Sequence, residues 1–194
     1  RRCVTAKAAT GRGCDPPEGT APLCTYGVED RDDHPVNCLT WKQADAYCNW
    51  AGGGRRLCTE SEWERAARGD HGPIYPWAEG GATCNKAVYA GCNCDGHTCP
   101  VGSRPAGASP FGAEDLAGNV WEWVQDPYHA SYDLDGDGKV DAPADGTAWD
   151  DVSPLRVIRG GGFSWPAEIL RASNRDTWKS TQWDPDTGFR CCRY

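Results

Sequence analysis

Twelve cysteines in a chain of 194 residues constrain the fold more than any other feature. They stand at Cys3, Cys14, Cys24, Cys38, Cys48, Cys58, Cys84, Cys92, Cys94, Cys99, Cys191 and Cys192. The count is even and high, so a disulfide framework is the favoured reading, and it places the protein outside the reducing cytosol: secreted, periplasmic or at the cell surface. Cys3 and Cys14 are near enough in sequence to close a local loop. Zinc is the competing reading, because Cys92, Cys94, His97 and Cys99 fall within eight residues, although their spacing is not that of a zinc ribbon.

Cross-links matter here because aliphatic core material is thin. Leu and Ile are scarce and Met is absent, whereas there are 10 Trp, 24 Gly and 14 Pro. Burial must come largely from aromatic, Val and Cys side chains held in a loop-rich fold. The length suits one domain over 1–194. The formal charge of −8 argues against nucleic acid and anionic membranes as main partners and suits cation sites. No apolar run reaches the length of a membrane span. No signal peptide is visible, so Arg1 reads as a mature or trimmed N-terminus.

Residues 1–37 read as loop stapled by disulfides, with an acidic run at Glu29–Asp33. Thr40 and Gln43 form the two ends of a capping box, and Leu39 and Ala44 a hydrophobic staple. Ala44, Tyr47, Cys48 and Ala51 follow at helical spacing until Gly52-Gly53-Gly54. Thr59 and Glu62 repeat the device, with Trp63, Ala66 and Ala67 on the buried face and Gly69 as the stop. Residues 70–111 read as loop. A short strand is expected around Trp121, a polar excursion over 126–153, a strand at Val157-Ile158-Arg159 broken by Gly160–Gly162, irregular chain over 171–187, and a closing strand over 188–192. Helices early and short strands late indicate an α+β fold.

The densest stretch is Asp115-Leu116-Ala117-Gly118-Asn119-Val120-Trp121-Glu122-Trp123. On an extended segment Trp121 and Trp123 share one face and Glu122 takes the other. Asp115 and Glu122 flank a turn whose carbonyls can face inward, a donor set suited to a hard cation such as calcium; the alternative is a turn between core strands with solvated acids.

Eight strings in order resemble the formylglycine-generating-enzyme (sulfatase-modifying factor) family. They are His34-Pro35-Val36, Thr40-Trp41, Arg56–Glu64, Ala66-Ala67-Arg68-Gly69, Pro100-Val101-Gly102-Ser103, Ala117–Trp123, Arg159-Gly160-Gly161 and Gly188-Phe189-Arg190-Cys191. The resemblance implies a loop-rich variant of the C-type-lectin-like fold. The family domain usually opens with strands upstream of Arg1, so a processed chain, or a partner completing a strand edge near the termini, is expected. The resemblance also implies a disulfide between Cys48 and Cys191; Cys58 and Cys192 are additions to the family pattern that could pair with each other.

Family enzymes oxidise a substrate cysteine with copper held by two thiolates, a soft-ligand site. Those positions fall on Trp165 and Leu170 here, and Gly162 stands where the enzymes usually carry Ser. No Cys occurs between Cys99 and Cys191. No copper is therefore expected. His34, His71, His97 and His129 are scattered, and no nucleophile elbow, phosphate loop or zinc-protease helix is present. The related iron sulfoxide synthases carry their metal-binding His residues in a separate domain.

The resemblance further implies two structural calcium sites. One draws on Asp115, Gly118, Val120 and Glu122; the other draws on Asn85, Lys86, Asp95 and His97, with Lys86 and His97 giving carbonyls. A third candidate is independent of the family. In Asp133-Leu134-Asp135-Gly136-Asp137-Gly138-Lys139-Val140-Asp141 the acids stand at relative positions one, three, five and nine, with Gly at six and Lys139 in the ligand set, as in most of an EF-hand-type loop. The twelfth position is Ala144 rather than Glu, with Asp145 next to it.

Two functions are consistent with these residues. The first is a non-catalytic extracellular binding or structural module held by disulfides and calcium, with Trp165, Trp178 and Trp183 as a binding surface for a protein, a cell-surface partner or a glycan. The faint resemblance of Trp183-Asp184-Pro185-Asp186 to sugar-lectin motifs is the feature pointing to glycan. Trp149 belongs to the same polar region, and packing in a Leu-poor core is the alternative for each indole. The second is an enzyme with divergent oxidase-type chemistry, built near Trp165 from Glu168, Arg171 or Arg175.

Overall fold

A computed structural model describes residues 22–138 and 140–193. Its regular elements are α1 (Trp41–Trp50), β1 (Arg55–Leu57), α2 (Glu60–Arg68), β2 (Trp121–Pro127), β3 (Leu155–Arg159), β4 (Arg175–Lys179), β5 (Thr187–Phe189) and β6 (Cys191–Arg193), with 3₁₀ turns at Pro105–Gly107 and Ala167–Leu170. The fold is mixed α and β with short elements and long connections.

Both helices begin where their caps dictate. The Thr40 side chain accepts from the Gln43 amide, and the Gln43 side chain reaches back to the Thr40 amide. Thr59 and Glu62 make the same reciprocal pair. Each box satisfies two amides that a helix start otherwise leaves unpaired. Leu39 and Ala44 are both buried in one cluster, as a staple requires.

Four strands form a sheet in the order β4-β3-β2-β5, and β1 with β6 forms a separate antiparallel pair. β2 is its axis and is buried on both faces. Trp121 and Trp123 cluster with Ile158, Leu39, Ala44 and Cys48, toward α1. Val124 joins Val157, Trp63 and Ala67, toward α2. The two-residue period of a strand thus sends alternate side chains of β2 to opposite cores. Trp63, Trp121 and Trp123 are at most 2% exposed. At an area of about 200 Å² each, burial contributes roughly 5 kcal/mol per indole, which replaces the missing aliphatic core.

Three strand expectations need correction. The closing strand is two strands. Thr187–Phe189 runs parallel to β2, with Gly188 opposite Glu122; Cys191–Arg193 pairs antiparallel with β1, with Cys191 opposite Leu57. The chain changes sheet at Arg190, whose side chain is drawn to Glu122. The stretch expected to be irregular over 171–187 contains β4, in full register with β3 from Arg159↔Arg175 to Leu155↔Lys179. Its sequence, Arg-Asp-Thr-Trp-Lys, has no apolar alternation, because β4 is an edge strand whose Arg175 is neutralised by Glu60 rather than solvated. β1 was also hidden in the sequence; it exists through its pairing with β6.

All ten cysteines among the described residues are in disulfides: Cys24–Cys38, Cys48–Cys191, Cys58–Cys192, Cys84–Cys92 and Cys94–Cys99. Cys48–Cys191 ties α1 to β6, and Cys58–Cys192 ties the start of α2 to the same strand. The zinc alternative fails, since Cys92, Cys94 and Cys99 have no thiolate to give. The Cys3–Cys14 expectation lies outside the described residues, as does Lys139. Among the described residues no helix is long and apolar enough to cross a membrane.

Candidate functional site

The turn before β2 is bent by left-handed backbone at Asp115 (φ 57°), Gly118 (φ 84°) and Asn119 (φ 66°). Gly118 is fixed by contact as well: a Cβ there would lie 2.1 Å from the Val88 carbonyl oxygen. Asn119 is buried and holds Cys99 through both its amide groups, accepting from its N–H (3.0 Å) and donating to its carbonyl (3.1 Å). This turn places Asp115 and Glu122 on one cavity of about 330 Å³, shared with Glu114, Asn119, Val120 and Arg190.

Glu122 is 4% exposed and heavily engaged. Arg190 donates to both of its oxygens at 2.5 Å, and the Trp63 indole N–H donates to Oε2 at 2.6 Å. Asp115 Oδ2 accepts from the Gly102 amide at 2.7 Å. Burial raises the Asp115 pKa, opposed by that amide and by Arg190, and reinforced by Glu122 and Glu114. Glu114, Asp115 and Glu122 line this cavity with Arg190, whose guanidinium is spent on Glu122. That donor set fits a hard divalent cation.

The second set is less concentrated. Asn85 and Asp95 are exposed, and Asp95 has φ 52°. The Lys86 ammonium turns to the Glu79 carbonyl (2.8 Å) and Trp77, while its own carbonyl packs against Gly107. The His97 carbonyl accepts from the Cys94 amide, and its ring Nδ1 lies 3.4 Å from Arg31. Asp95 is the single carboxylate of the set.

In the third loop, ligand atoms of Asp133, Asp135 and Asp141 lie within 4.8 Å of one another. Asp133 accepts from the amides of Gly136 (2.7 Å) and Gly138 (2.9 Å), and Asp141 Oδ2 accepts from that of Leu134 (2.7 Å). The Asp137 amide donates to Asp135 Oδ1. The acids are thus gathered by the backbone they would enclose with a cation.

The region implied for copper carries different side chains. Leu170 is fully buried, and Trp165, 39% exposed, sets its ring edge-on to Trp121 at 5.8 Å. The Trp121 indole N–H is buried without a partner beside it. Gly162 accommodates the Asp186 carboxylate: a Cβ at 162 would lie 2.7 Å from its Oδ1. Ser164 donates to Asp186 from its amide (3.2 Å) and from its hydroxyl. Burial raises the Asp186 pKa against those hydrogen bonds. A thiolate pair has no counterpart here, so the residues do not fit a copper site.

The structure does not gather the other candidates. Glu168 and Arg171 are exposed beside the second 3₁₀ turn, but Arg175 reaches the opposite core, donating to both Glu60 oxygens (2.9 and 2.7 Å) and to the His129 carbonyl (2.7 Å). Trp178 is 38% exposed on β4, opposite Arg156. Trp183 is half-buried in the following loop. Trp149 packs on the His129 ring at 4.4 Å.

A network absent from the sequence reading lies between α2 and the sheet. Arg159 is completely buried and donates to Glu64 at 2.5 Å, with Glu60 at 3.6 Å. Asp126 Oδ2 accepts from the first amide of α2, that of Glu60, at 2.6 Å. The arginine partners of Glu60 and Glu64 come from strands about 95 to 115 residues later, beyond the reach of any local pattern.

Comparison with known proteins agrees with this architecture. The chain shares 33% identity over 177 residues with the hercynine oxygenase of Mycolicibacterium thermoresistibile, covering 82% of this chain and 36% of that protein. With the formylglycine-generating enzyme of Streptomyces coelicolor it shares 38% over 180 residues, covering 84% and 54%. With the inactive C-alpha-formylglycine-generating enzyme 2 of Bos taurus it shares 36% over 180 residues, covering 85% and 52%. It therefore spans about a third to just over half of these relatives. PvdO from Pseudomonas aeruginosa superposes with a TM-score of 0.76 at 28% identity, over 96% of this chain and 74% of that one. The model of the sulfatase-modifying factor enzyme 1-like domain matches residues 1–194, and the chain belongs to that family.

Proposed function

We propose that this chain is a non-catalytic extracellular binding or structural module: a single C-type-lectin-like domain held by disulfides and calcium. One observation carries the reading. Where the family resemblance calls for copper thiolates, Trp165 lies edge-on against Trp121, Leu170 is buried, and Asp186 takes the space beside Gly162. The ten described cysteines are committed to disulfides, which favours a compartment outside the cytosol.

Asp115 and Glu122, with the carbonyls of Gly118 and Val120, would hold one calcium ion. Asp133, Asp135, Asp137 and Asp141 would hold another, and the weaker set around Asp95 a third. Each ion would supply charge compensation to a loop with little apolar core. Exposed Trp165 and Trp178 supply apolar surface for a protein or cell-surface partner, including one that completes a strand edge near the termini; glycan is the second ligand class.

The test is elemental analysis of the natively purified protein, combined with oxygen-uptake assays on a cysteine-containing peptide with and without added copper. About two to three equivalents of calcium and no thiol oxidation above background are expected. Stoichiometric copper with oxygen-dependent thiol oxidation would overturn the reading in favour of divergent oxidase chemistry, an outcome kept open by the enzymatic names of two relatives.

A further inference from the structure

A cavity of about 540 Å³ lies on the α2 side of the sheet, in the other core from Trp165. Its floor is Glu60, Glu64 and Arg68 of α2 with Asp126 of β2, and its wall includes Tyr132 and Trp149. The wall is anchored. Thr59 and Ser61 hydroxyls donate to the Gly146 carbonyl at 2.9 and 3.1 Å, and the Trp149 amide approaches Asp126 Oδ1 at 3.4 Å. The volume falls within the roughly 300–1,000 Å³ of small-molecule sites.

The chemistry of the lining selects a ligand class. Glu60 is neutralised by Arg175 and Arg159, and Glu64 by Arg68 and Arg159. At these two acids an ionic ligand would therefore meet charges already compensated. The carboxylate oxygens nevertheless retain the capacity to accept further hydrogen bonds. Arg68 Nε is a buried donor with no partner, a group that costs stability until an acceptor reaches it. Asp126 has one oxygen capped tightly and the other only loosely. Burial raises its pKa to about 6, so at neutral pH it serves as an acceptor, and its looser oxygen is free to take a hydroxyl donor. Tyr132 and Trp149 add aromatic surface for C–H groups.

Compensated charge, interleaved donors and acceptors, and flanking rings are what a neutral polyhydroxylated molecule requires. We propose that this cavity binds a neutral saccharide unit of one or two rings. The site is separate from the Trp165 surface and stands whether or not the chain is catalytic.

Saturation-transfer NMR on the intact protein tests this, using methyl glucoside, galactoside and mannoside, N-acetylglucosamine, maltose and cellobiose. Glucuronate and glucosamine serve as charged controls. At least one neutral sugar should bind saturably with a Kd of about 1 mM or tighter. Trp149→Ala and Arg68→Ala should each weaken it at least tenfold, and Val28→Ala, at an exposed residue outside the cavity, should leave it unchanged. Amide-shift mapping on the ¹⁵N-labelled wild type, which needs no variant to fold, should place the largest changes at Tyr132 and Trp149. The proposal is overturned if no neutral sugar saturates, if only charged sugars bind, or if shifts cluster at Trp165. It is equally overturned if both folded variants bind as the wild type does.

Discussion

Replacing Asp126 by Asn should stabilise the protein at neutral pH and have little effect in acid. Asp126 is 3% exposed, and burial raises its pKa from 3.8 to about 6, helped by the charge of Glu60 and opposed by the amides of Glu60 and Trp149. The shift is upward for an acid, so the folded state holds the proton more tightly than the unfolded chain. Below about pH 3.8 both states are protonated and the group is neutral in the balance. Between 3.8 and 6 the unfolded chain loses its proton first, and stability falls as pH rises. Above about 6 the penalty is complete. A shift of about two units corresponds to about 3 kcal/mol. Asn keeps a carbonyl oxygen for the Glu60 amide at the start of α2 and removes the buried charge. Urea titrations of both proteins from pH 4 to 8 should therefore diverge across pH 4–6 and run parallel above 7, with Asp126→Asn ahead by up to about 3 kcal/mol. The corresponding thermal shift is about 6–12 °C for a chain of this size. Parallel curves throughout would refute the reasoning, since the buried carboxylate would then carry no penalty.

Removing the Cys58–Cys192 bridge by Cys58→Ser with Cys192→Ser should cost about 3 kcal/mol, not the roughly 5 expected for a loop that long. Cys48–Cys191 already closes nearly the same loop and leaves only about a dozen residues to constrain; denaturant midpoints with the other bridges intact would show which value holds. Chelation with EGTA should lower the melting temperature, by about 2.7 kcal/mol of lost stabilisation for each site that was held at a hundredfold over its Kd. Asp133→Ala with Asp135→Ala should remove one calcium equivalent in isothermal titration and leave the Asp115 site loaded. Gly162→Ser should destabilise by about 1–3 kcal/mol through overpacking against Asp186, visible as a lower melting temperature; an unchanged value would mean that Asp186 can move aside.

Local chemistry was legible wherever a few neighbouring residues settle a conformation. The Thr40–Gln43 and Thr59–Glu62 boxes mark both helix starts, because each is complete within four residues. Trp121 and Trp123 share a face, because a strand alternates whatever surrounds it. The acids of residues 133–141 come together through amides of their own loop. β4 was illegible, because its polar side chains match a strand only once Arg175 meets Glu60 and the backbone meets β3.

The sequence by itself determined the cross-linked, aromatic-rich nature of this domain, its family and its helix boundaries, since those depend on residue identity and short spacing. Tertiary structure alone decided which core each arginine enters, how residues 187–193 divide between two sheets, and what occupies the space beside Gly162. It also decided that Asp126 and Trp149 border one cavity. These are contacts between residues tens to more than a hundred positions apart. No local propensity encodes them, and they form only when burial of the indoles and closure of the disulfides bring the segments together.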